Sequence, residues 1–293
     1  MQSIIPTIFI PTYGRPNNQL TLNMLRKSGY TGKIYLVVDD TDVTIQQYID
    51  NYGIDNLIVF NKNHYINTIQ TVTNNPKYGC AVYARYAIEE IALHLGLSCF
   101  VVIDDDITRF RLRLPKDNKL RSIISFDLNT VFSLICDFML TSNLMACGCA
   151  YVNSLMCGCE ALSSENLLKN RQPCAVMFRN TAKSVEWFSD YLEDALPWYR
   201  YNIIGEFTPC LPYIQFDTPS AHKPVKDSTL SKSDGGSSDL YNCDGYEIAF
   251  RGCIVYPNFI SIKAKLLDKN IYYSCVKKKD LPKILNPIYR KEN

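Results

Sequence analysis

The sequence lacks any hydrophobic run long enough to cross a bilayer as a helix. Such a helix needs about 20 consecutive apolar residues, and polar or charged residues interrupt every apolar stretch here well before that. Histidine and tryptophan are scarce, at three and two residues, which excludes a histidine-rich metal centre. Neither charge sign is in large excess: 31 Lys and Arg against 29 Asp and Glu leave a net +2. Charge alone therefore does not mark a nucleic-acid binder. The chain also has no G-x-G-x-x-G and no G-x-x-x-x-G-K-S/T. That argues against a dinucleotide site and a P-loop ATPase. The apolar stretch Ile4–Pro11 has no basic run before it and no small-residue cleavage site after it, so it reads as a strand and not as a secretory leader.

What remains is a chain of 293 residues, 47% hydrophobic. It is long enough for one large domain or two small ones around a sizeable core. Twelve cysteines without a leader predict free thiols in a reducing, cytoplasmic setting. Charge is unevenly spread. Between Ile107 and Ile123, six basic residues (Arg109, Arg111, Arg113, Lys116, Lys119, Arg121) face one acid, Asp117, for a local +5. From Lys263 to Asn293, nine Lys and Arg stand against Asp268, Asp280 and Glu292, for +6. Such segments are either solvated basic surfaces or contacts to a polyanion.

Pattern along the chain alternates short apolar strands with helices. Strands are expected at Ile4–Pro11, Lys33–Val38, Asn56–Phe60 and Cys99–Ile103. A helix capped by Asn17 or Asn18 carries Leu20, Leu22, Met24 and Leu25 and ends at Ser28-Gly29. Helical patterns follow at Gln46–Tyr52, Tyr78–Leu97 (Val82, Tyr86, Ile88, Ile91, Leu95) and Phe126–Leu140. Cys174–Phe178 reads as a later strand, and Ser184–Tyr191 as an amphipathic stretch leading to Glu193-Asp194. This alternation predicts an α/β fold: a mostly parallel central sheet covered on both faces. Ser228–Asp239, with Gly235-Gly236, is the only low-complexity loop of any length. It suits either a hinged lid or a plain loop.

The strongest chemical signal is Asp104-Asp105-Asp106 directly after the apolar strand Cys99–Ile103. Three adjacent carboxylates repel one another, and a divalent cation relieves that repulsion. Hard oxygen ligands suit Mg²⁺ or Mn²⁺, which usually bridge to phosphates. Side chains alternate in extended backbone, so Asp104 and Asp106 point one way and Asp105 the other. A solvated acidic turn is the bland alternative. Asp39-Asp40 also follows an apolar strand, where a carboxylate can accept from a base N–H or a ribose hydroxyl, or simply close a turn. The first turn, Pro11-Thr12-Tyr13-Gly14-Arg15-Pro16, offers a glycine for close approach, a tyrosine to stack and an arginine for phosphate.

In series, these residues resemble the GT-A class of nucleotide-sugar glycosyltransferases, over residues 4–200. That class implies an α/β/α sandwich of Rossmann type, a UDP-sugar donor and Mn²⁺ or Mg²⁺. By the resemblance, Pro11, Thr12, Tyr13 and Arg15 line the nucleotide. Asp39 or Asp40 contacts base or ribose. Arg85, in Gly79-Cys80-Ala81-Val82-Tyr83-Ala84-Arg85, faces the diphosphate. Asp104-Asp105-Asp106 supplies the DxD motif, with Asp106 on the metal and Asp104 beside the sugar, ribose or metal. Asp194 becomes the general base, with Glu193 as the alternative, and His222 a candidate further metal ligand. The opening Ile10-Pro11-Thr12-Tyr13-Gly14-Arg15-Pro16-Asn17-Asn18-Gln19-Leu20-Thr21-Leu22 is similar to the TET-associated glycosyltransferases of bacteriophages. That resemblance implies hydroxymethylated pyrimidine in DNA, such as hydroxymethylcytosine, as acceptor, and glucose from UDP-glucose as donor.

The implied organisation is a nucleotide-sugar half at 1–110, an acceptor and catalytic half at 111–262 and a basic C-terminal segment at 263–293. Trp198 and Tyr199, just after the Glu-Asp pair, are candidates to hold an extruded base, or ordinary core residues. Cys147-Gly148-Cys149 and Cys157-Gly158-Cys159 lack zinc-knuckle spacing and suit tightly packed strands. Rival readings are a GT-A enzyme acting on a glycan, lipid or protein, a nucleotidyltransferase, and a non-catalytic nucleic-acid-binding relative.

Overall fold

The computed structural model describes residues 4–69, 81–117, 119–152, 173–189, 193–194, 196–219, 253–255, 257, 260–267 and 270–277. His222, the Ser228–Asp239 loop and the second Cys-Gly-Cys lie outside these residues.

The first apolar runs become β1 (Thr7–Thr12), β2 (Ile34–Asp39), β3 (Leu57–Phe60) and β4 (Cys99–Ile103). Between them lie α1 (Leu20–Lys27), α2 (Ile45–Tyr52), α3 (Lys62–Ile66) and α4 (Ala81–His94). Next come β5 (Arg109–Lys116), β6 (Lys119–Ile123), α5 (Leu128–Thr141), β7 (Ala146–Tyr151), β8 (Val176–Asn180), α6 (Leu196–Ile203) and β9 (Cys210–Asp217). The nine strands form one sheet in the order β3-β2-β1-β4-β8-β7-β9-β5-β6. Two further strands, β10 (Ile260–Leu267) and β11 (Asn270–Lys277), pair only with each other in a second sheet.

The expected parallel sheet is realised over β3-β2-β1-β4. Beyond β4 it is mixed: β8 is antiparallel to β4 and β7, β9 parallels β7, and β5 is antiparallel to β9 and β6. For β5 and β6 the reason is local. The β5–β6 connection turns at Asp117, with φ of 53°, and so short a link can only join antiparallel strands.

Helices cover both faces. Leu25 of α1, Tyr48 of α2 and Leu128, Phe132, Ile135 and Met139 of α5 pack on one side. Tyr65 of α3, Val82, Ala87 and Ile88 of α4 and Trp198 of α6 pack on the other. On α5 the buried residues recur at three and four, and each such side chain contributes about 1.5–3 kcal/mol. The α1 cap differs from expectation. Its N-cap is Gln19, with no side-chain capping bond; the Gln19 amide is committed to Thr12 Oγ1 (2.9 Å) and the Arg15 carbonyl (3.0 Å) instead. On α4 the buried face includes Arg85 and Glu89, while Leu95 just beyond the helix is 48% exposed. Ser184–Phe188 forms no helix; Val185 and Trp187 are buried between more open neighbours, an alternation with the period of a strand.

The strand order reverses between β1 and β4: β2 and β3 lie to one side of β1, and β4 to the other. In open α/β sheets ligands sit outside the carboxyl ends of strands at such a reversal. The ends of β1 and β4 are Pro11–Arg15 and Asp104–Asp106, so topology alone brings the two strongest sequence motifs together.

The first Cys-Gly-Cys is part of β7. Cys147 and Cys149 are fully buried free thiols. A Cβ on Gly148 would lie 2.7 Å from the Pro173 Cα, so the glycine is there for close backbone packing, in keeping with the packing interpretation of this motif.

Candidate active site

The loop after β1 is held from three sides. Gly14, at φ of 67°, donates its N–H to Asp42 Oδ2 at 2.7 Å. Arg15 donates its N–H to the Tyr48 hydroxyl at 2.8 Å. Thr12 donates to Asp105 Oδ2 at 2.7 Å. Since the one Thr12 proton goes to Asp105, the Tyr48 hydroxyl 3.3 Å away must donate to Thr12. Burial pushes the Tyr48 phenol up to about 12, so it keeps the proton this chain of bonds requires. Pro11 and Thr12 are buried, while Tyr13 and Arg15 are half-buried at the crevice.

In the acidic loop Asp104 and Asp105 turn apart, as alternation predicts for that pair. Asp105 turns into the protein, where Arg15 Nη1 meets Oδ1 at 2.7 Å beside the Thr12 bond. Asp104 turns toward α4, where Arg85 Nη2 meets Oδ1 at 3.1 Å and leaves the side chain a third exposed. Asp106 has no ion-pair partner among the described residues. Burial first, then the charges of Asp104 and Asp105, push its carboxyl up to about 6 against the pull of Arg15. Asp104 and Asp105 are also raised, chiefly by burial. Thr21 on α1 holds the loop: its hydroxyl donates to the Asp104 carbonyl at 2.5 Å and accepts the Ile107 N–H at 2.8 Å. Thr21→Val keeps the shape and removes both bonds, leaving a buried N–H unpaired. The expected cost is about 1–3 kcal/mol, measurable by urea unfolding, with weaker binding of whatever the acidic loop holds.

Arg85 is 2% exposed and lies beneath Asp104, not open to the crevice. Its other arm, Nη1, reaches Glu193 Oε1 at 3.0 Å, and its guanidinium lies 5.7 Å from the Trp187 ring centroid. Burial opposes its charge, but Asp104, Glu193 and Asp194 outweigh that and hold it firmly cationic. One cation thus serves three carboxylates. Glu193 is left undercompensated: burial, then Asp194 and Asp104, push it up to about 7 against Arg85. Asp194 lies in the same electrostatic cluster and accepts no hydrogen bond among the described residues. Glu193-Asp194 forms the turn just before α6.

Asp39 and Asp40 flank the crevice at the end of β2. Asp39 is committed inward: Thr41 donates to it twice at 2.7 Å, and Lys62 Nζ lies 3.1 Å away. Asp40 is exposed and accepts from the Lys62 N–H at 3.1 Å.

Several residues here were not anticipated. Asp42 and Tyr48 fix the first loop; the run Asp42-x-Thr44, in which Thr44 N–H and hydroxyl both bond Asp42 Oδ1, was the available signal. Tyr151 ends β7 at the same sheet edge, within electrostatic reach of Asp104, Asp106 and Asp194. Its ring sits 4.3 Å from that of Phe216 and it is 43% exposed. By contrast Trp198 is fully buried against Trp187 and belongs to the core; it cannot hold an extruded base.

Asp104 and Asp106 are hard oxygen donors, Asp104 sharing Arg85 with Glu193 and Asp106 without an ion-pair partner among the described residues, which suits Mg²⁺ or Mn²⁺. Among the described residues no three His, Cys, Asp or Glu side chains form a ready cage. A cation here would complete its shell with phosphate oxygens and water, as Mg²⁺ habitually does.

Solved structures similar to the chain include residues 1–349 of TarS from S. aureus, with TM-score 0.42 and 10% identity over 92% of this chain and 96% of that one. Another is glucosyl-3-phosphoglycerate synthase from Mycobacterium tuberculosis, in complex with Mg²⁺ and uridine diphosphate, with TM-score 0.41 and 9% identity over 92% and 86%. Likeness at this level says nothing of activity. No curated protein matches the sequence. The reversal between β1 and β4 sets the acidic loop after β4 beside the anchored Thr-Tyr-Gly-Arg loop after β1, in keeping with the GT-A glycosyltransferase fold that the sequence resemblance implies. The sequence pattern of the TET-associated glycosyltransferases matches residues 6–200, and the chain belongs to that family. No described helix is long and apolar enough to cross a membrane.

Proposed function

We propose that this glycosyltransferase moves a hexose from a UDP-sugar, glucose from UDP-glucose being the first candidate, to the hydroxymethyl group of a modified pyrimidine in DNA, with Mg²⁺ or Mn²⁺ bound. The observation that carries this reading is the acid cluster at the strand reversal. Asp104 and Asp106 follow β4 at that reversal, and Asp194 lies within electrostatic reach of Asp104 and of Arg85, the buried compensating cation.

In this assignment the diphosphate lies between the Pro11–Arg15 loop and Asp104–Asp106. Tyr13 stacks on the base, Asp39 and Asp40 border base and ribose, and Arg15, steadied by Asp105, faces phosphate. Asp106 and Asp104 would hold the cation, which would supply positive charge against the leaving diphosphate; His222 remains a candidate ligand. Asp194 accepts the proton of the acceptor hydroxyl. That oxygen bonds the anomeric carbon as the bond from this carbon to the diphosphate oxygen breaks, and UDP leaves. Arg85 positions both ends by fixing Asp104 and Glu193. Residues 1–110 serve the donor and 111–262 the acceptor. The basic stretches Arg109–Arg121 and 263–293 track the phosphate backbone, while the pocket chooses the base. The base must leave the stack, or the strand be single, for its hydroxymethyl group to reach Asp194.

A screen tests this: UDP release from a panel of nucleotide sugars, with hydroxymethylcytosine DNA, plain DNA or no acceptor, before and after chelation. Release stimulated by the hydroxymethylated DNA and abolished by chelation supports the reading. Release indifferent to DNA, or unaltered by chelation, refutes the acceptor or the metal assignment respectively.

A further inference from the structure

The face of the sheet formed by β5 and β9 carries an array of donors within the basic stretch assigned above to the phosphate backbone, together with Gln215, which that assignment does not include. Register places Arg109 opposite Asp217 and Arg111 opposite Gln215, with Arg113 two residues further along the same face, opposite Ser122 of β6. The alternate residues Phe110, Leu112, Ile214 and Phe216 enter the apolar core on the other face. Alternation therefore separates an apolar side from a wholly polar one.

On the polar side three arginines meet one carboxylate. Arg111 pairs with Asp217, and Arg113 Nη1 donates to Ser122 Oγ at 2.7 Å. Three donors are left over. Arg111 Nε, Arg113 Nε and Gln215 Nε2 are all buried without a hydrogen-bond partner, and Gln215 is only 1% exposed. Buried polar groups are overwhelmingly paired. Here the unpaired ones are all N–H donors, on cross-strand neighbours, in a field of net positive charge. What satisfies such a set is an oxyanion.

We propose that Gln215, Arg111 and Arg113 form a phosphate-binding subsite that anchors a phosphodiester of the acceptor strand. β9 runs from this array to Asp217 at the same sheet edge as Tyr151 and the acidic loop, so a strand held there leads toward the crevice. The phosphate chemistry follows from the donors. Its assignment to a nucleic-acid strand rests on the DNA reading above.

The full-length protein is tested with two probes, UDP being saturating throughout so that the donor crevice is filled. One probe is inorganic phosphate, read as a thermal shift against chloride at matched ionic strength. The other is a short oligothymidylate, titrated across salt. Gln215→Leu removes the amide donor at nearly constant volume, and Arg113→Gln removes one charge. The wild type should be stabilised by phosphate over chloride, and Gln215→Leu should lose this difference. Oligonucleotide affinity should fall about 3–10-fold in either variant, and Arg113→Gln should also flatten the salt dependence by about 0.7 in log–log slope, the value of one single-strand phosphate contact. Affinity for UDP reports that each variant is folded, and Arg113→Gln carries the test alone if Gln215→Leu is not. A Gln215-dependent phosphate response without oligonucleotide binding supports the subsite and overturns the DNA assignment. Variants matching the wild type with both probes overturn the subsite.

Discussion

Asp194→Asn should lower turnover by about 10²–10⁴-fold, the usual worth of a general base, while UDP-sugar affinity stays near that of the wild type. The substitution keeps shape and removes only the ability to take a proton. The choice of Asp194 over its neighbour comes from the surroundings. Glu193 spends an oxygen on Arg85 at 3.0 Å, and a carboxylate so engaged is poorly placed to accept a substrate proton. Asp194 accepts no hydrogen bond among the described residues, although it lies in the same cluster. Glu193→Gln should therefore have the smaller effect on turnover. Steady-state rates of UDP release at saturating donor separate the two; full turnover in Asp194→Asn with loss in Glu193→Gln would exchange the roles.

Arg85→Leu should be the most destabilising single change in the site. Arg85 is 2% exposed and pairs with both Asp104 and Glu193. Removing one partner of a buried pair costs about 3–5 kcal/mol because the opposite charges stay behind unpaired. The lower end, about 3 kcal/mol, applies here, since Asp104 is a third exposed and water relieves part of its charge. Arg85→Lys should recover part of the stability, because an ammonium supplies charge without the fork that spans two carboxylates. Urea unfolding of the three proteins measures this. Equal midpoints for wild type and Arg85→Leu would remove Arg85 from the account.

How far the sequence could be read depended on which periodicities were visible. β1, β2 and β4 stand out because they are buried on both faces and read as continuous apolar runs; β3, at the edge with Val59 44% exposed, keeps the same apolar run. The segment Arg109–Lys116 stood out as basic, yet Phe110, Leu112 and Leu114 alternate with its arginines in the period of a half-buried strand, and it is β5. On α4 the apolar stripe runs through Val82 and Ile88 with Tyr86 and Ile91 packed beside them, and it fails only at Leu95, which is 48% exposed. The buried face also takes in Arg85 and Glu89, because each finds a charge across the interface: Glu89 meets Arg179 Nε at 2.7 Å. Apolar periodicity does not register a helix face buried through ion pairs. The opposed directions of Asp104 and Asp105 were legible, since alternation is a backbone property. The partners of those acids were not, because Thr12, Arg15, Thr21 and Arg85 come from distant parts of the chain and meet them only through the strand order. Tyr151 was missed for the same cause: its place at the crevice depends on β7 running parallel to β4, which follows from two successive antiparallel pairings through β8.

The central claim is sugar transfer to a hydroxymethylated pyrimidine, and its most direct measurement is mass spectrometry of the nucleosides. DNA containing hydroxymethylcytosine is incubated with the protein, UDP-glucose and Mn²⁺, digested to nucleosides and weighed, with Asp194→Asn as the control. The account predicts a nucleoside heavier by one hexose residue, formed by the wild type in step with UDP release and nearly absent with Asp194→Asn. Rapid UDP release from any sugar nucleotide in the panel, with every nucleoside mass unchanged, would contradict it.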